Sequence, residues 1–498
     1  MLSTKSIGYY KETLIFFTLL VFLPLTVMLL LVMKSSGGVF TYTLDDPYIH
    51  LALARNIWLG NYGINLTEAS APSSSILWPF LLVPFANISS FFELVPLIIN
   101  ACCLGALAFV INKIFSDCKF AERLIITAMI LLSLNAYGLV FTGMEHSLQI
   151  LLVALILLPI LQNLGLEQGK YSTPGYAVCA LILLPLVRYE GLAISLPVLF
   201  YIFLKGERIK AVLAFFALFA VMIGFSLFLE KQGLGFLPSS VIAKSSHSGL
   251  SETYVNFIRN LTKYGFLLVP LAVLANDFWR KDKALTMVIV ISAGLHFLLG
   301  KIGWFGRYEN YYVLFVVLLC LRYIINMECR VFPVILCLPL MFVSLVEPTF
   351  NTPLAASNIK NQQVQMAKIA RLLAEPVAVN DLGLVALRSG QYVLDLWGLG
   401  SIEALNYRKI STNTDWMREL MAKKNVNYAF VYDAWFRQKP ANWIKVGELK
   451  LLQTRITPAD VTVAFYATDQ AHAEKLSSVL KAFSQQESGA TEFSVRII

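Results

Sequence analysis

Asp45 and Asp46 stand side by side in Tyr42-Thr43-Leu44-Asp45-Asp46-Pro47-Tyr48-Ile49-His50, directly after the first long apolar run. Adjacent carboxylates are costly to hold beside hydrocarbon, so acids at a membrane boundary are functional candidates by default. A carboxylate near an apolar wall and a second carboxylate has its proton affinity raised, which suits a general base. A divalent cation held between the acids, Mg or Mn, is the other chemistry open to them. The plainer reading is a helix start, with Asp as N-cap and Pro at N1. The two readings are compatible, because a cap can hold a reactive acid in place. If the helix begins at Pro47, Asp46 and His50 share a face, four residues apart. Asp45 is then free to point elsewhere.

Other polar groups fall at the ends of apolar stretches: Glu145, His146, Arg188, Glu190, Arg307 and Glu309. Each alone reads as an interfacial side chain that snorkels toward water. Their joint placement on one side of the membrane is what points to a site. A coupled transporter keeps its ionisable residues near the bilayer midplane, whereas the mid-stretch positions here are mostly apolar. Lys244 and His247 lie in the Ser-rich segment Leu237–His247, and a Lys there suits a phosphate. Arg307, between Gly306 and Tyr308, has the planar fork for bidentate phosphate binding. Trp78 and Trp304 read by default as interfacial belt aromatics, with sugar stacking as the alternative. No G-x-S-x-G, Walker loop or H-E-x-x-H occurs.

Composition sets the frame for these residues. The 498-residue chain is 57% hydrophobic and 14% charged, with a mean hydropathy of +0.67. Soluble proteins are about 25% charged, so this is a polytopic membrane protein. Its net charge of +9 reports cytoplasmic Lys and Arg. No basic stripe interleaves with aromatics, so nucleic acid is set aside. The seven cysteines contain no C-x-x-C pair and no zinc-type spacing.

Thr13–Met33 reads as a retained first span with the N-terminus inside. Ten further apolar stretches give about eleven spans: Leu94–Ile111, Leu124–Phe141, Ser147–Asn163, Tyr171–Val187, Gly191–Lys205, Ala211–Leu229, Tyr264–Asn276, Ala284–Leu299, Tyr311–Met327 and Val331–Val346. Several fall short of the ~20 residues of an untilted span. Ile76–Ala86 holds Pro79 and Pro84 and reads as a re-entrant or juxtamembrane helix. With that choice the basic connections Lys113–Arg123, Lys205–Lys210, Arg280–Lys283 and Arg322–Arg330 share one side, which is cytoplasmic. The outer side receives the Asp45 loop, the long loop Glu230–Lys263 and everything after Glu347.

Two domains follow: residues 1–348, a transmembrane domain with an outer loop at 35–75, and residues 349–498, an extracytoplasmic α/β domain. In the latter, Asn358–Ala374, Thr414–Lys424 and Gln470–Phe483 read as helices. Val377–Asn380, Tyr392–Asp395, Tyr428–Tyr432, Lys445–Thr454 and Val461–Ala467 read as strands, and the tail after Gln485 as frayed.

Several segments in order resemble one family. These are Thr43–Asn56, Gly60-Asn61-Tyr62-Gly63, Ser74-Ser75-Ile76-Leu77-Trp78, Gly143-Met144-Glu145, Arg188-Tyr189-Glu190-Gly191, Leu237-Pro238-Ser239-Ser240 with Ala243-Lys244, and Gly306-Arg307-Tyr308. Asn380-Asp381-Leu382-Gly383 and Val393–Leu399 continue the series. Together they resemble the bacterial GT-C glycosyltransferases, in particular the group that includes mycobacterial terminal arabinofuranosyltransferases. Pro47, Leu53, His146 and Tyr189 depart from that pattern.

The resemblance implies a GT-C-like membrane fold in the bacterial inner membrane and an outer-face reaction. A polyprenyl-phosphate sugar is the implied donor, and a glycan, lipid or protein the acceptor. Asp45 or Asp46 would deprotonate the acceptor hydroxyl or help hold a metal, and Lys244 and Arg307 would neutralise the leaving phosphate. His50, Arg55, Glu145, Arg188, Glu190, His247 and Tyr308 complete the expected substrate-binding set, and all are expected to converge in one outer pocket. The alternatives are a lipid-linked sugar transporter or flippase, and a cell-envelope assembly protein whose outer domain recruits others.

Overall fold

The computed structural model describes residues 4–88, 91–164, 172–244, 250–326, 332–411, 413–486 and 491–495. The chain is a multi-pass membrane protein with a C-terminal α/β domain. Among the described residues, four helices are long and apolar enough to cross a membrane: Tyr10–Ser35, Phe92–Ile114, Arg208–Lys231 and Thr253–Lys281. A fifth is counted if the pair Phe120–Ser133 and Ala136–Thr142, bent by 48°, is one span. Of the expected eleven or so spans, these four or five are the ones that length and composition support among the described residues. Five further apolar helices, His146–Gln162, Gly175–Val187, Tyr189–Leu204, Lys283–Leu299 and Asn310–Ile325, are shorter. Their brevity has local causes. Asn135 and Gly143 adopt left-handed backbone at either end of Ala136–Thr142, and Arg188 is extended at the end of Gly175–Val187. The polar motifs are where the helices stop.

Two expectations are corrected. Glu230–Lys263 is not a loop: it carries the helices Ser239–Lys244 and Leu250–Tyr264. The second is strongly amphipathic and runs on into the span ending at Lys281, so its alternating polarity hid it from an apolar-run criterion. The frayed tail gains a strand at Thr491–Val495. Ile76–Ala86 is a short helix, Leu77–Leu82, continued by a 3₁₀ turn to Phe85.

Two compact units divide the chain. The first comprises Met1–Leu30, Leu97–Gly224 and His247–Asn351. The second joins Leu31–Pro96 and Phe225–Ser246 to Thr352–Ile498. The second unit holds a six-stranded mixed sheet: β1 (Val377–Val379), β2 (Val393–Asp395), β3 (Tyr428–Val431), β4 (Ile444–Leu451), β5 (Thr462–Ala467) and β6 (Thr491–Val495). Its order is β2-β1-β3-β5-β4-β6. The first three of these strands are parallel, and the remaining pairings are antiparallel. Leu394, Leu396, Ala404, Trp416, Leu420 and Val431 belong to one buried cluster packed on it.

Two short helices of this unit matter most for the site. Helix α1 is Asp46–Trp58, with Pro47 in its first turn and Asp45 at its N-cap position. Helix α2 is Gly383–Arg388, following β1. The Asn65 side chain ties the outer loop to the sheet. Its Nδ2 donates to the Val393 carbonyl and its Oδ1 accepts from the Val393 amide, both at 2.9 Å.

Candidate functional site

Asp45 does not cap its own helix. Its Oδ2 accepts from the Gly383 amide at 2.5 Å and its Oδ1 from the Leu384 amide at 2.8 Å. The carboxylate therefore closes the first turn of α2. At the far end of α2, Arg55 Nη1 donates to the Leu387 carbonyl at 2.8 Å and Nη2 to that of Ala386 at 3.4 Å. Helix α1 thus offers an anion to the amide end of α2 and a cation to its carbonyl end, matching the helix dipole. The approach requires glycine at 383. A Cβ there would lie 2.1 Å from the Asp45 carbonyl oxygen.

A third acid joins the pair. Asp381 stands just before α2, and its charge acts on Asp45. Gln363 Nε2 donates to Asp381 Oδ2 at 2.7 Å and to the Tyr432 hydroxyl at 2.9 Å. As a donor, that hydroxyl faces Gln362 Oε1 at 2.7 Å and Asp381 Oδ2 at 2.9 Å. Burial, then the Asp381 and Asp46 charges, push Asp45 well above the usual carboxylate range, against the two amide bonds. Burial likewise raises Asp381.

Asp45 is buried, while Asp46 and Asp381 are half-buried and keep contact with solvent. His50, four residues along α1 from Asp46, is buried. Lys244 ends the helix Ser239–Lys244, and His247 lies outside the described residues. Among the described residues, no group of three His, Cys, Asp or Glu is placed to hold a metal ion.

The remaining expected residues form a separate set in the first unit. Arg188 Nη1 donates to Glu145 Oε1 at 3.0 Å, while Nε and Nη2 donate to Glu190 at 3.2 and 2.8 Å. Arg188 and Glu145 are buried, and Glu190 is partly open. The Arg188 guanidinium also lies 5.2 Å from the Tyr308 ring centroid and that of Arg307 lies 4.9 Å from it, distances at which cation–π attraction operates. The His146 ring meets Tyr308 edge-on at 6.1 Å. Arg307 is only 2% exposed. Glu309 has a holding role: it accepts from the Tyr264 hydroxyl at 2.6 Å and from the Gly303 amide at 3.0 Å.

Each set is thus assembled within its own unit. Asp381, Gln363 and Tyr432 are the residues sequence reasoning left out of the site. The one available signal was Asn380-Asp381-Leu382-Gly383, an acid two residues before a glycine.

A domain of unknown function (DUF8728) matches residues 357–466, a span that contains Asp381, Gly383 and Tyr432. No curated protein matches the chain. Among solved structures it is similar to the oligosaccharyltransferase of Archaeoglobus fulgidus in complex with Zn and sulfate. There the identity is 13%, 90% of this chain and 73% of that chain are covered, and the TM-score is 0.47. The form tethered with an acceptor peptide containing the NVT sequon gives 12% identity, 90% and 74% coverage and a TM-score of 0.44. Archaeal oligosaccharyltransferase AglB from Archaeoglobus fulgidus, in complex with an inhibitory peptide and a dolichol-phosphate, gives 11%, 90%, 74% and 0.42.

Proposed function

We propose that the chain is a GT-C-type membrane glycosyltransferase. It moves a sugar from a polyprenyl-phosphate donor to a glycan, lipid or protein acceptor on the outer side of the inner membrane. The observation that carries this reading is the grouping of buried Asp45, held by the Gly383 and Leu384 amides, with the charges of Asp381 and half-buried Asp46. Acids whose proton affinity is raised by burial and by each other are suited to take a proton near neutral pH.

In the proposed step, Asp45 or Asp46 accepts the proton of the acceptor hydroxyl. The freed oxygen forms a bond to the anomeric carbon. The bond from that carbon to the phosphate oxygen breaks, and the lipid phosphate leaves with the electron pair. Fixed cations favour this departure because they meet charge as it develops, and the motif resemblance gives that task to Lys244 and Arg307.

The test is transfer of labelled sugar from a polyprenyl-phosphate donor in membranes holding the wild type, Asp45→Asn or Asp46→Asn. Loss of transfer in at least one variant, with the protein still folded, is expected. Full transfer by both would remove the proposed chemistry.

A further inference from the structure

Four consecutive residues of the first unit, Gly303, Trp304, Phe305 and Gly306, have φ of 92°, 51°, 66° and 59°. Glycine takes left-handed backbone freely. Tryptophan and phenylalanine do not, and such turns persist only where their surroundings over-determine them. Three buried polar side chains do so here. Glu309 accepts from the Gly303 amide at 3.0 Å and is itself fixed by the Tyr264 hydroxyl. Asn135 Nδ2 donates to the Phe305 carbonyl at 3.0 Å, and its Oδ1 accepts from Thr349 at 2.9 Å. Asn310 Nδ2 donates to the Gly306 carbonyl.

The turn holds the Trp304 indole outward, 50% exposed. An exposed cation stands by the start of the turn: Lys263 Nζ lies 3.9 Å from where a Cβ on Gly303 would sit, and its charge also reaches Glu309. Buried Arg307 follows directly behind. An aromatic that merely marks the membrane interface needs no strained backbone to reach it. An outward indole on a clamped turn with an ammonium at its start suits a ligand with an anionic head joined to an apolar tail.

We infer that the turn 303–306 and Lys263 form a lipid-phosphate site, in which Lys263 meets the phosphate and Trp304 packs on the first isoprene units of the chain. This rests on the donor class proposed above and adds residues that the motif resemblance does not contain. Trp304 and Lys263 are binding residues, and Glu309, Asn135 and Asn310 position them.

Equilibrium binding tests this with the full-length protein in nanodiscs and two probes, a long-chain polyprenyl phosphate and the matching uncharged polyprenol. Trp304→Ala should weaken both probes by about tenfold, and Trp304→Phe should restore most of the loss. Lys263→Ala should weaken the phosphate probe about tenfold and leave the polyprenol unchanged. Melting profiles matching the wild type confirm that the variants fold. Unchanged affinities in Trp304→Ala, or equal loss of both probes in Lys263→Ala, overturns the site. If the binding split holds while the wild type transfers no sugar, the transfer reading fails and the site stands. If transfer persists with unchanged variant binding, the site fails alone.

Discussion

The acid set and the arginine set solve opposite electrostatic problems. Arg188 is buried with two carboxylates around it, Glu145 and Glu190, so its charge is balanced in place. Asp45 and Asp381 receive their hydrogen bonds from amides, a glutamine and a phenol. Dipoles soften a buried negative charge without cancelling it, so the proton affinity of both acids is raised. In the proposed reaction the acid set takes the proton.

The largest expected break in this contrast is Asp45→Asn. Removing a general base should lower transfer by roughly 10²–10⁴-fold, measured as initial rates with labelled donor. Arg188→Ala should act on folding instead. It leaves Glu145 buried without its partner, at about 3–5 kcal/mol, read as a lower unfolding midpoint in detergent. Gly383→Ala comes next. Its methyl would collide with the Asp45 carbonyl oxygen, so transfer should fall while the first unit keeps its stability. Limited proteolysis of each unit checks that separation.

Asp381→Asn sharpens the contrast through pH. Asp45 must lose its proton to act, and its proton affinity is raised partly by the Asp381 charge. The ascending limb of the wild-type rate profile should therefore lie above the ordinary aspartate range, and in Asp381→Asn it should move to lower pH. Stability follows with the opposite sign. A carboxyl raised in the folded state contributes stability below its unfolded value of about 3.9 and loses it as pH climbs through the raised value. The second unit of the wild type should thus unfold more readily at neutral pH than in mild acid, and the variant should show less of this slope. The smallest effect expected is Asn65→Ala. It removes two hydrogen bonds to β2 and should cost about 1–3 kcal/mol, seen as lower amide protection at Val393.

Much of the C-terminal α/β domain was legible from local pattern. Val377–Asn380, Tyr392–Asp395 and Tyr428–Tyr432 alternate or cluster as strands must, and they appear as β1, β2 and β3 within a residue or two. The start of α1 was equally plain from Asp followed by Pro. What Asp45 does there was not, because its partners are 338 and 339 residues away. A local cap rule predicts a bond within the same turn, and tertiary packing redirected it. Glu145 with Arg188, and Arg307 with Tyr308, were visible as polar residues where apolar stretches end, since charge cannot continue into hydrocarbon. Helix lengths were less legible: apolar runs register composition, while left-handed Asn135 and extended Arg188 end helices within or beside them.

The Asn65 amide has a consequence for assembly. β2 is a border strand of the sheet, and an open border offers unpaired backbone to any passing extended chain. Here one side chain occupies both the N–H and the C=O of Val393, in the manner of a single rung of a missing neighbour. Recruitment of a foreign strand is blocked on that flank, so any peptide that extends this sheet by backbone pairing would have to add beside β6.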